Sequence, residues 1–509
     1  MNEATLQEKI TELKSKNESL KHRVDWLERQ LFGSKSERFV QPPGDQQEGR
    51  PFQVPLAFHS DQPDPISEPE EPVEVKSYKR NKKRPDTIVS DQGLRFGPDV
   101  PVKEIHIKPQ ILEENPDDYD VMIRHHYQIA QNPKTYQVIH TQYYSIKSKK
   151  DKTIINPKNR PAVFEKSIAD VSFLAMMTID KFLYHLPLYR QHKRLEASQI
   201  YISRTSLTNW ITRVAQLLKP IAFEIKKSIL MSQILMIDET PIKAGRDKHK
   251  SKMKSGYFFP MLGDQDEIYF QFSGSKSYDA LTEILEGYNG ILKTDGNPIY
   301  TKYCEQNNLQ LSNCLAHTRR KFEEAQELDK KLVSEALQGI QKLYEIEKLI
   351  KKKKLTGVDK RDYRQKYSKP IMDRFFIWCH YQLSKRKVST QDPINNAMNY
   401  TLAREKALRL YLDNPNLDID TNVLERSLRP IPMGKKNWLF CFNEVGAEVV
   451  GICQTIIVTC KMQGIDPYEY MVDVLQRIDR HPQNQIADLI PRNWKDNFSD
   501  DPLKSVIDR

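Results

Sequence analysis

The sequence predicts a multidomain protein of mixed α+β class with a central α/β domain. The chain has 509 residues, which corresponds to about three or four domains and is far more than one hydrophobic core requires. Between residues 234 and 315, apolar runs with strand and helix patterns alternate in the order β-β-β-α-β-α-β, which is typical of a sheet covered by helices. At the amino terminus, a different apolar spacing predicts a separate coiled coil.

Composition and charge restrict the partners and the compartment. Lysine and arginine exceed aspartate and glutamate by 79 to 68, and the sequence pI near 9.0 is compatible with a polyanionic partner. The six cysteines include no CxxC pair, so neither a disulfide framework nor a zinc ribbon is indicated. No apolar segment resembles a signal peptide, and the longest uncharged stretch near the carboxyl end is too short and too polar to span a bilayer. We therefore expect a cytoplasmic protein with no membrane partner.

Residues 1–39 are predicted to form a leucine-zipper-like coiled coil. Their apolar residues alternate in spacings of four and three, which is the pattern of a coiled-coil seam. The seam contains Leu6, Ile10, Leu13, Asn17, Leu20, Val24, Leu27 and Leu31. Asn17 is its one polar member, and a buried asparagine at that position usually specifies a parallel dimer. The pattern favours a homodimer or higher oligomer, with an amphipathic helix packed on its own domain as the alternative.

Residues 40–100 are predicted to be a linker. Eight of the thirty prolines lie between Pro42 and Pro72 among acidic residues, a composition that buries too little apolar surface to fold. The basic run KRNKKRP, Lys79–Pro85, follows and is either a phosphate contact or a solvated charge cluster.

Residues 101–160 are predicted to form a small β module, because runs such as YQVIHTQYYSI alternate with a period of two. The module contains His106, His125, His126 and His140. Four histidines without cysteines or a regular spacing are poor evidence for a metal site.

Residues 165–228 are predicted to contain a helix-turn-helix. A first helix starts near Pro187, a turn follows near Ile200–Ile202, and Ser203 can cap a second helix. The residues of this second helix that would face DNA bases are Arg204, Thr205, Thr208 and Asn209. Helical hairpins that bind nothing share this spacing, so the segment alone leaves DNA binding open.

Two predicted strands of the central domain end in an acidic residue. The run ILMI, Ile234–Ile237, is followed by Asp238, and the run ILKT, Ile291–Thr294, is followed by Asp295. If these two strands are neighbours, both carboxylates converge at one edge of the sheet. Two such carboxylates repel unless a divalent cation lies between them, and oxygen ligands suit Mg²⁺ or Mn²⁺. The alternative is that each acid is an ordinary turn residue.

Such sites commonly use a third acid, and Glu425 is the best candidate. The stretch DIDTNVLERSLRP predicts a short helix that Asp420 or Thr421 caps and the last proline ends. Glu425 and Arg429 share one face of this helix, so a simple ion pair between them is the alternative. Glu448 is the reserve candidate.

Six motifs occur in order along the chain: LFGSKSERF, HLPLYRQ, MIDETPI, LKTDGNPIY, CLAHTRRKF and NVLERSLRPIPMGKKNWLF. With these motifs the sequence strongly resembles the transposases of the bacterial insertion-sequence family IS66, over nearly the whole chain. The resemblance implies a ribonuclease H-like catalytic core with an Asp-Asp-Glu triad, which falls on Asp238, Asp295 and Glu425. The implied ribonuclease H-like domain covers residues 229–315 and 413–465.

The resemblance also implies a helical insertion at 316–412, and we expect a helical tail at 466–509. Many members of the family that the chain resembles look as if they carry a small cysteine-rich zinc module between the linker and the helix-turn-helix. Residues 101–160 contain no cysteine, so zinc binding is not carried over to this chain.

The implied function is that of a DNA transposase in a bacterial, nucleoid-associated location. Two Mg²⁺ or Mn²⁺ ions at the triad would support cleavage of element ends and strand transfer into double-stranded target DNA. Helper proteins from the same element are candidate partners. The alternatives are a DNA-binding regulator or accessory protein with an inactive catalytic fold, and a nuclease that cuts without joining.

Several residues near the acids are expected to support them or to contact DNA. The expected DNA contacts are Arg319, Arg320, Lys321, Arg426, Arg429, Lys435, Lys436 and Asn437. Cys314 and His317 form a Cys-x-x-His pair that we interpret as structural support, because zinc would need two more ligands and only Cys304 is near in sequence. No zinc is therefore expected. Trp438 either stacks on a splayed base or packs in the core, and the core is favoured.

Overall fold

The computed structural model describes residues 88–508 except 91–92, 110–111, 113–118, 132–135, 151, 159, 161, 166, 247–251, 327–328, 387–391 and 442. The predicted coiled coil, 1–39, and residues 40–87 of the predicted linker lie outside the described residues. The described part combines helices with three sheets, so the predicted mixed α+β class is confirmed.

The predicted linker, residues 40–100, is wrong at its carboxyl end. Ile88–Val89 (β1) and Arg95–Phe96 (β2) form an antiparallel hairpin, and β2 also pairs with a later short strand, Ile200–Tyr201 (β7). Leu94 and Phe96 are fully buried. These strands belong to the folded domain, but strands of two residues are too short to show a periodicity in the sequence.

A four-stranded sheet occupies the stretch for which a β module was predicted. Its strands are Val102–Ile107 (β3), Tyr119–Gln131 (β4), Tyr136–Ser148 (β5) and Ile154–Ile155 (β6). β5 pairs in parallel with β3 and antiparallel with β4 and β6. Its histidines contact protein groups: His140 bonds to His125 at 2.9 Å and to Glu104 at 2.6 Å.

The largest sheet has the strand order β11-β10-β8-β12-β13. Its strands are Ile234–Ile237 (β8), Thr240–Arg246 (β9), Met253–Leu262 (β10), Ile268–Ser273 (β11), Ile291–Thr294 (β12) and Gln310–Asn313 (β13). β8, β12 and β13 run parallel, and β10 is antiparallel to β8, β9 and β11. The two strands that end in acids, β8 and β12, are therefore neighbours.

β9 was not predicted from the sequence. β8 and β9 both pair with β10, and one register holds across both, with Ile237 facing Met261 and Thr240 facing Phe258. This register places Asp238 opposite Pro260. Because proline has no N–H to donate, the ladder is interrupted at that point. Asp238 thus lies at a break in what is otherwise one long strand.

Six helices precede or follow the strands up to the insertion: Val171–Phe182 (α1), Leu188–Ala197 (α2), Arg204–Leu230 (α3), Tyr278–Ile284 (α4), Pro298–Gln306 (α5) and Leu315–Glu324 (α6). The insertion contains Lys330–Lys352 (α7), Gly357–Tyr363 (α8), Lys369–Lys385 (α9), Pro393–Leu402 (α10) and Glu405–Asp413 (α11), with a π-helical turn at Arg364–Ser368. The chain ends with Asn422–Leu428 (α12), Pro430–Trp438 (α13), Glu444–Met462 (α14), Pro467–Arg477 (α15) and Pro491–Phe498 (α16).

α14 is the central helix of the main core. It is long and apolar enough to cross a membrane, but 67% of its most apolar stretch is buried inside the protein. The hydroxyls of Thr455 and Thr459 accept hydrogen bonds from the N–H groups of Phe270 and Ile268 in β11, at 3.0 and 3.3 Å. At Gly451 an added Cβ would lie 2.5 Å from the Phe270 carbonyl oxygen. The apolar residues of α14 therefore pack closely against β11, the edge strand of the largest sheet.

The carboxyl-terminal residues, predicted as a tail, complete the same core. Asp473 in α15 is fully buried and forms an ion pair with Arg477 at 2.6 Å. It also accepts hydrogen bonds from the Trp494 indole at 3.0 Å and from the Leu503 N–H at 2.7 Å. These contacts join α15, α16 and the segment around Leu503 into one unit.

The helical insertion forms most of a second hydrophobic cluster, which also includes Ile234 of β8, and it contains a buried ion pair. Arg364 is fully buried, and its guanidinium donates to both carboxylate oxygens of Glu347 at 2.8 and 2.7 Å. It also donates to the carbonyls of Tyr411 and Asn414, which ties α7 and the π-helical turn to the end of α11.

Replacing Glu347 by alanine is expected to destabilise the insertion strongly, because Arg364 would keep its buried charge without its partner. We expect a loss of about 3–5 kcal/mol, measured by thermal or denaturant unfolding. The control is Asp362→Ala, which removes the partner of the neighbouring but solvent-exposed Arg361 and should change stability by less than about 1 kcal/mol. Equal effects of the two substitutions would contradict this account of the buried pair.

Candidate catalytic site

Asp238 and Asp295 lie at the same edge of the central sheet. They follow β8 and β12, which pair in parallel with Ile291 facing Ile234, and continuing this register places Asp295 beside Asp238. Burial, followed by the charges of Asp295 and Glu239, raises the pKa of Asp238 to about 7. In the described part of the chain, neither aspartate forms a salt bridge. The pair therefore has no ion-pair partner among these protein side chains.

A hydrogen-bond network holds both aspartates in place. One oxygen of Asp238 accepts from the Glu239 N–H at 2.7 Å, and one oxygen of Asp295 accepts from the Asn297 N–H at 2.8 Å. The Glu239 carboxylate joins the two loops, because it accepts from the Asn297 amide at 2.8 Å and from the Tyr300 hydroxyl at 2.7 Å. Sequence reasoning missed Glu239, Asn297 and Tyr300, although all three lie inside the motifs MIDETPI and LKTDGNPIY.

The insertion clamps the turn that follows β12. The Tyr400 hydroxyl donates to the Asp295 carbonyl at 2.6 Å, and the Arg404 guanidinium donates to the Gly296 carbonyl at 2.6 and 3.1 Å. Gly296 has a φ of +116°, and an added Cβ there would lie 2.4 Å from the Tyr400 hydroxyl oxygen. Only glycine allows this close approach at this backbone conformation. Tyr400 and Arg404 were not among the predicted site residues.

The segment after the insertion, residues 418–421, docks on the ends of β12 and β13. The fully buried Lys293 donates from Nζ to the Asp418 carbonyl at 2.6 Å. The Leu315 N–H donates to the Ile419 carbonyl at 3.1 Å, and the Thr421 N–H donates to Cys314 Sγ at 3.2 Å. α12 starts immediately afterwards, so Glu425 in its first turn is delivered to the same end of the sheet.

Glu425 contacts the start of α6. Its carboxylate lies 3.8 Å from His317 Nε2 and 3.7 Å from an Arg320 guanidinium nitrogen. The Glu425 carboxylate therefore contacts His317 and Arg320 and does not form the alternative ion pair with Arg429. The reserve candidate, Glu448, lies elsewhere, 55% exposed on α14 and 4.0 Å from Lys219.

Cys314, His317 and Glu425 form a compact cluster in which one donor atom from each lies within 4.8 Å of the others. Burial opposes the charge of His317, but the interactions with Cys314 and Glu425 outweigh it and raise the His317 pKa. Burial likewise opposes a Cys314 thiolate, yet the contact with His317 leaves the thiol pKa lowered. The charge of His317 also acts on Asp238 and lowers its pKa, so this imidazole influences Asp238 as well as Glu425.

The basic residues predicted to contact DNA are mostly exposed around these acids. Exposed positions are Arg319, Arg320, Lys321, Arg426, Arg429, Lys436 and Asn437. Lys435 is half-buried and donates to the Pro241 carbonyl at 3.3 Å. Trp438 packs against the main core and over Gly434, where an added Cβ would lie 2.5 Å from its indole nitrogen. Trp438 is therefore half-buried at the edge of this core.

The predicted second helix of the helix-turn-helix is α3, and Ser203 Oγ accepts from the Ser206 N–H at its start. Four residues on its first two turns are exposed: Arg204, Thr205, Thr208 and Asn209. Leu207 and Trp210 on the opposite face are buried. The connection from α2 contains β7, whose pairing with β2 fixes the turn between the two helices.

Two parts of the chain match known protein families. Residues 166–449, which include all three acids and the whole insertion, match the family described as "Transposase IS66 family". The chain belongs to this family. Residues 455–492 match the family described as "IS66 C-terminal element", which covers the last eight residues of α14, all of α15 and the turns that follow. Membership of the IS66 family makes the chain a relative of transposases.

Three relatives come from Sinorhizobium fredii (strain NBRC 101917 / NGR234). They are the uncharacterized proteins y4jD, y4hP and y4qI, which are 30%, 28% and 26% identical to this chain. The matched regions cover 66%, 64% and 65% of this chain, and 68%, 62% and 64% of the relatives. The chain thus spans about two thirds of the length of these relatives.

The pKa of Asp238 generates a pH prediction for the metal-free protein. A carboxyl whose pKa is raised on folding, from 3.8 to about 7, favours the folded state when it is protonated. Its contribution is fully present at low pH and is lost as pH rises through about 7. Asp238→Asn should therefore be more stable than the wild type at about pH 8, by about 4 kcal/mol at most, and equal to it near pH 4.

The measurement is thermal unfolding across this pH range in the presence of a chelator. The control is Asp496→Asn, which removes an exposed carboxylate on α16 and should leave the pH profile unchanged. A wild-type profile that stays parallel to that of Asp238→Asn would contradict the raised pKa.

Proposed function

We propose that this member of the IS66 family is a DNA transposase that cleaves element ends and joins them to target DNA at Asp238, Asp295 and Glu425. The observation that supports this most directly is the placement of two aspartates on neighbouring parallel strands, with no salt bridge among the described residues. The strand order β11-β10-β8-β12-β13, with the first three strands antiparallel, also supports the expected ribonuclease H-like core. Family membership supports the same reaction class.

The donor atoms at this site fit Mg²⁺ or Mn²⁺. Asp238 and Asp295 offer carboxylate oxygens, and the raised pKa of Asp238 indicates that its charge lacks compensation. Glu425 Oε1 is buried without a hydrogen-bond partner in the structure. When bound, a pair of such ions would activate a water or a DNA 3′-hydroxyl and stabilise the leaving oxygen.

The residues around the acids would keep them in a fixed geometry during the reaction. Backbone N–H groups fix one oxygen of each aspartate, and Glu239 joins the two loops through Asn297 and Tyr300. Such preorganisation matters because small displacements of catalytic groups cost large factors in rate. Tyr400 and Arg404 would couple the position of Asp295 to the insertion.

DNA would be held by exposed basic residues on both sides of the acids. Arg426, Arg429 and Lys436 lie on α12 and α13 beside Glu425 and would contact phosphates, which gives affinity without sequence information. Sequence recognition of element ends would fall to the exposed residues at the start of α3, in particular Arg204 and Asn209.

The test uses full-length protein, labelled duplexes taken from the chromosomal sequence on both sides of its gene, a target plasmid and Mg²⁺. We expect joined products that a chelator abolishes. Asp238→Asn, Asp295→Asn and Glu425→Gln should each lower the yield by at least about 100-fold while leaving duplex binding intact. Each variant should show wild-type binding in a gel-shift assay, which separates loss of chemistry from loss of DNA contact.

The matched control is Glu448→Gln, because Glu448 is an exposed acid of the same domain that contacts only Lys219 among the described residues. It should retain wild-type joining. Joined products from Glu425→Gln at the wild-type level would remove this residue from the triad. Cleavage without joining would favour a nuclease, and binding without cleavage would favour a regulator.

A further inference from the structure

The cluster of Cys314, His317 and Glu425 contains a thiol and an imidazole beside the third acid of the proposed reaction. A thiol and an imidazole have no role in the two-ion chemistry, because hard ions such as Mg²⁺ take oxygen ligands. Yet the three donor atoms all lie within 4.8 Å of one another. Among the described residues, His317 Nδ1 and Glu425 Oε1 are also buried and have no hydrogen-bond partner at ordinary distance and angle. These unsatisfied polar atoms require an explanation.

The donor set and its surroundings match a site for a thiophilic divalent ion. Thiolate, imidazole and carboxylate are the ligands of Zn²⁺, and sites with three protein ligands keep a fourth position open. Cys314 forms the closed floor of the cluster and is fully buried, whereas the side chains of His317 and Glu425 are 18% and 29% exposed. Solvent can therefore reach the fourth position.

The surrounding backbone also favours a thiolate at Cys314. The Thr421 N–H donates to Cys314 Sγ at 3.2 Å, and such hydrogen bonds orient and stabilise sulfur ligands in metal sites. Cys314 immediately precedes α6, and His317 lies in the first turn of that helix. Two ligands thus come from one short rigid segment, and the third comes from α12 across the docked segment 418–421.

We propose that Cys314, His317 and Glu425 form a binding site for a thiophilic divalent cation such as Zn²⁺, with the fourth position taken by water. Sequence reasoning discounted zinc because it found only Cys304 as a further ligand near Cys314. Cys304 is in fact buried on α5 outside the cluster, and the third ligand is an acid that follows the insertion.

Occupancy of this site has a consequence that rests on the proposed function. Glu425 cannot serve a Zn²⁺ ion at the cluster and the ions at Asp238 and Asp295 with the same oxygen. A thiophilic ion would therefore occupy one carboxylate oxygen of Glu425, leave only the other for the triad, and so inhibit Mg²⁺-dependent joining. The metal site itself does not depend on any DNA chemistry, so it can be tested apart from the transposase activity.

The test is a titration of the full-length, reduced protein with Co²⁺, which occupies zinc sites and gives a thiolate-to-metal charge-transfer absorption in the near ultraviolet. We expect this band in the wild type, with competition by Zn²⁺ and no competition by Mg²⁺. Cys314→Ser should abolish the band. The matched control is Cys304→Ser, which also removes a buried cysteine and should leave the band unchanged.

A second variant tests the carboxylate and guards against misfolding of Cys314→Ser. Glu425→Gln should keep the thiolate band but weaken Co²⁺ binding by at least about tenfold, because even the loss of an outer-shell partner costs that much in metal affinity. Circular dichroism and thermal unfolding of each variant establish that it is folded. Absence of a band in the wild type, a band that persists in Cys314→Ser, or unchanged affinity in Glu425→Gln would each overturn the proposal.

Discussion

The arrangement of the site depends on a buried lysine. Lys293 is fully buried in β12, and burial lowers its pKa to about 8. An ammonium group in the interior is costly unless it is hydrogen-bonded, and its shortest contact is the Asp418 carbonyl at 2.6 Å. This bond brings the chain back to the central sheet after the insertion, next to Asp295. This hydrogen bond is the link from β12 to the segment that leads into α12, and it thereby helps to fix Glu425 relative to the aspartates.

The local part of the site could be predicted from the sequence, and the long-range part could not. Asp238 and Asp295 each follow an apolar run, so a strand end with an acid is visible within a few residues. The contacts of Tyr400 and Arg404 join positions more than a hundred residues apart in sequence, and no periodicity reports them. The same holds for the pairing of Glu425 with His317. β9 was missed because the strand breaks at Asp238, opposite Pro260 of β10. Local sequence patterns therefore show β8 and do not show that β9 continues it.

Opposite electrostatic environments surround the acids in the structure. The carboxylates of Asp238 and Asp295 accept hydrogen bonds only from N–H groups of their own loops among the described residues. Glu425, by contrast, faces two cationic side chains, His317 and Arg320. Glu425 thus has basic neighbours without any metal, whereas the two aspartates have no salt-bridge partner among the described residues. Zinc at Cys314 and His317 would compete for the one acid of the three that already has basic neighbours.

The most direct test of the account is a crystal structure of the full-length protein with element-end DNA and Mn²⁺, read through the anomalous signal of the metal. The account predicts manganese coordinated by oxygens of Asp238, Asp295 and Glu425 and by a DNA phosphate. Manganese bound by the two aspartates while Glu425 remains with His317 and Arg320, in a complex that carries out joining, would contradict the central claim.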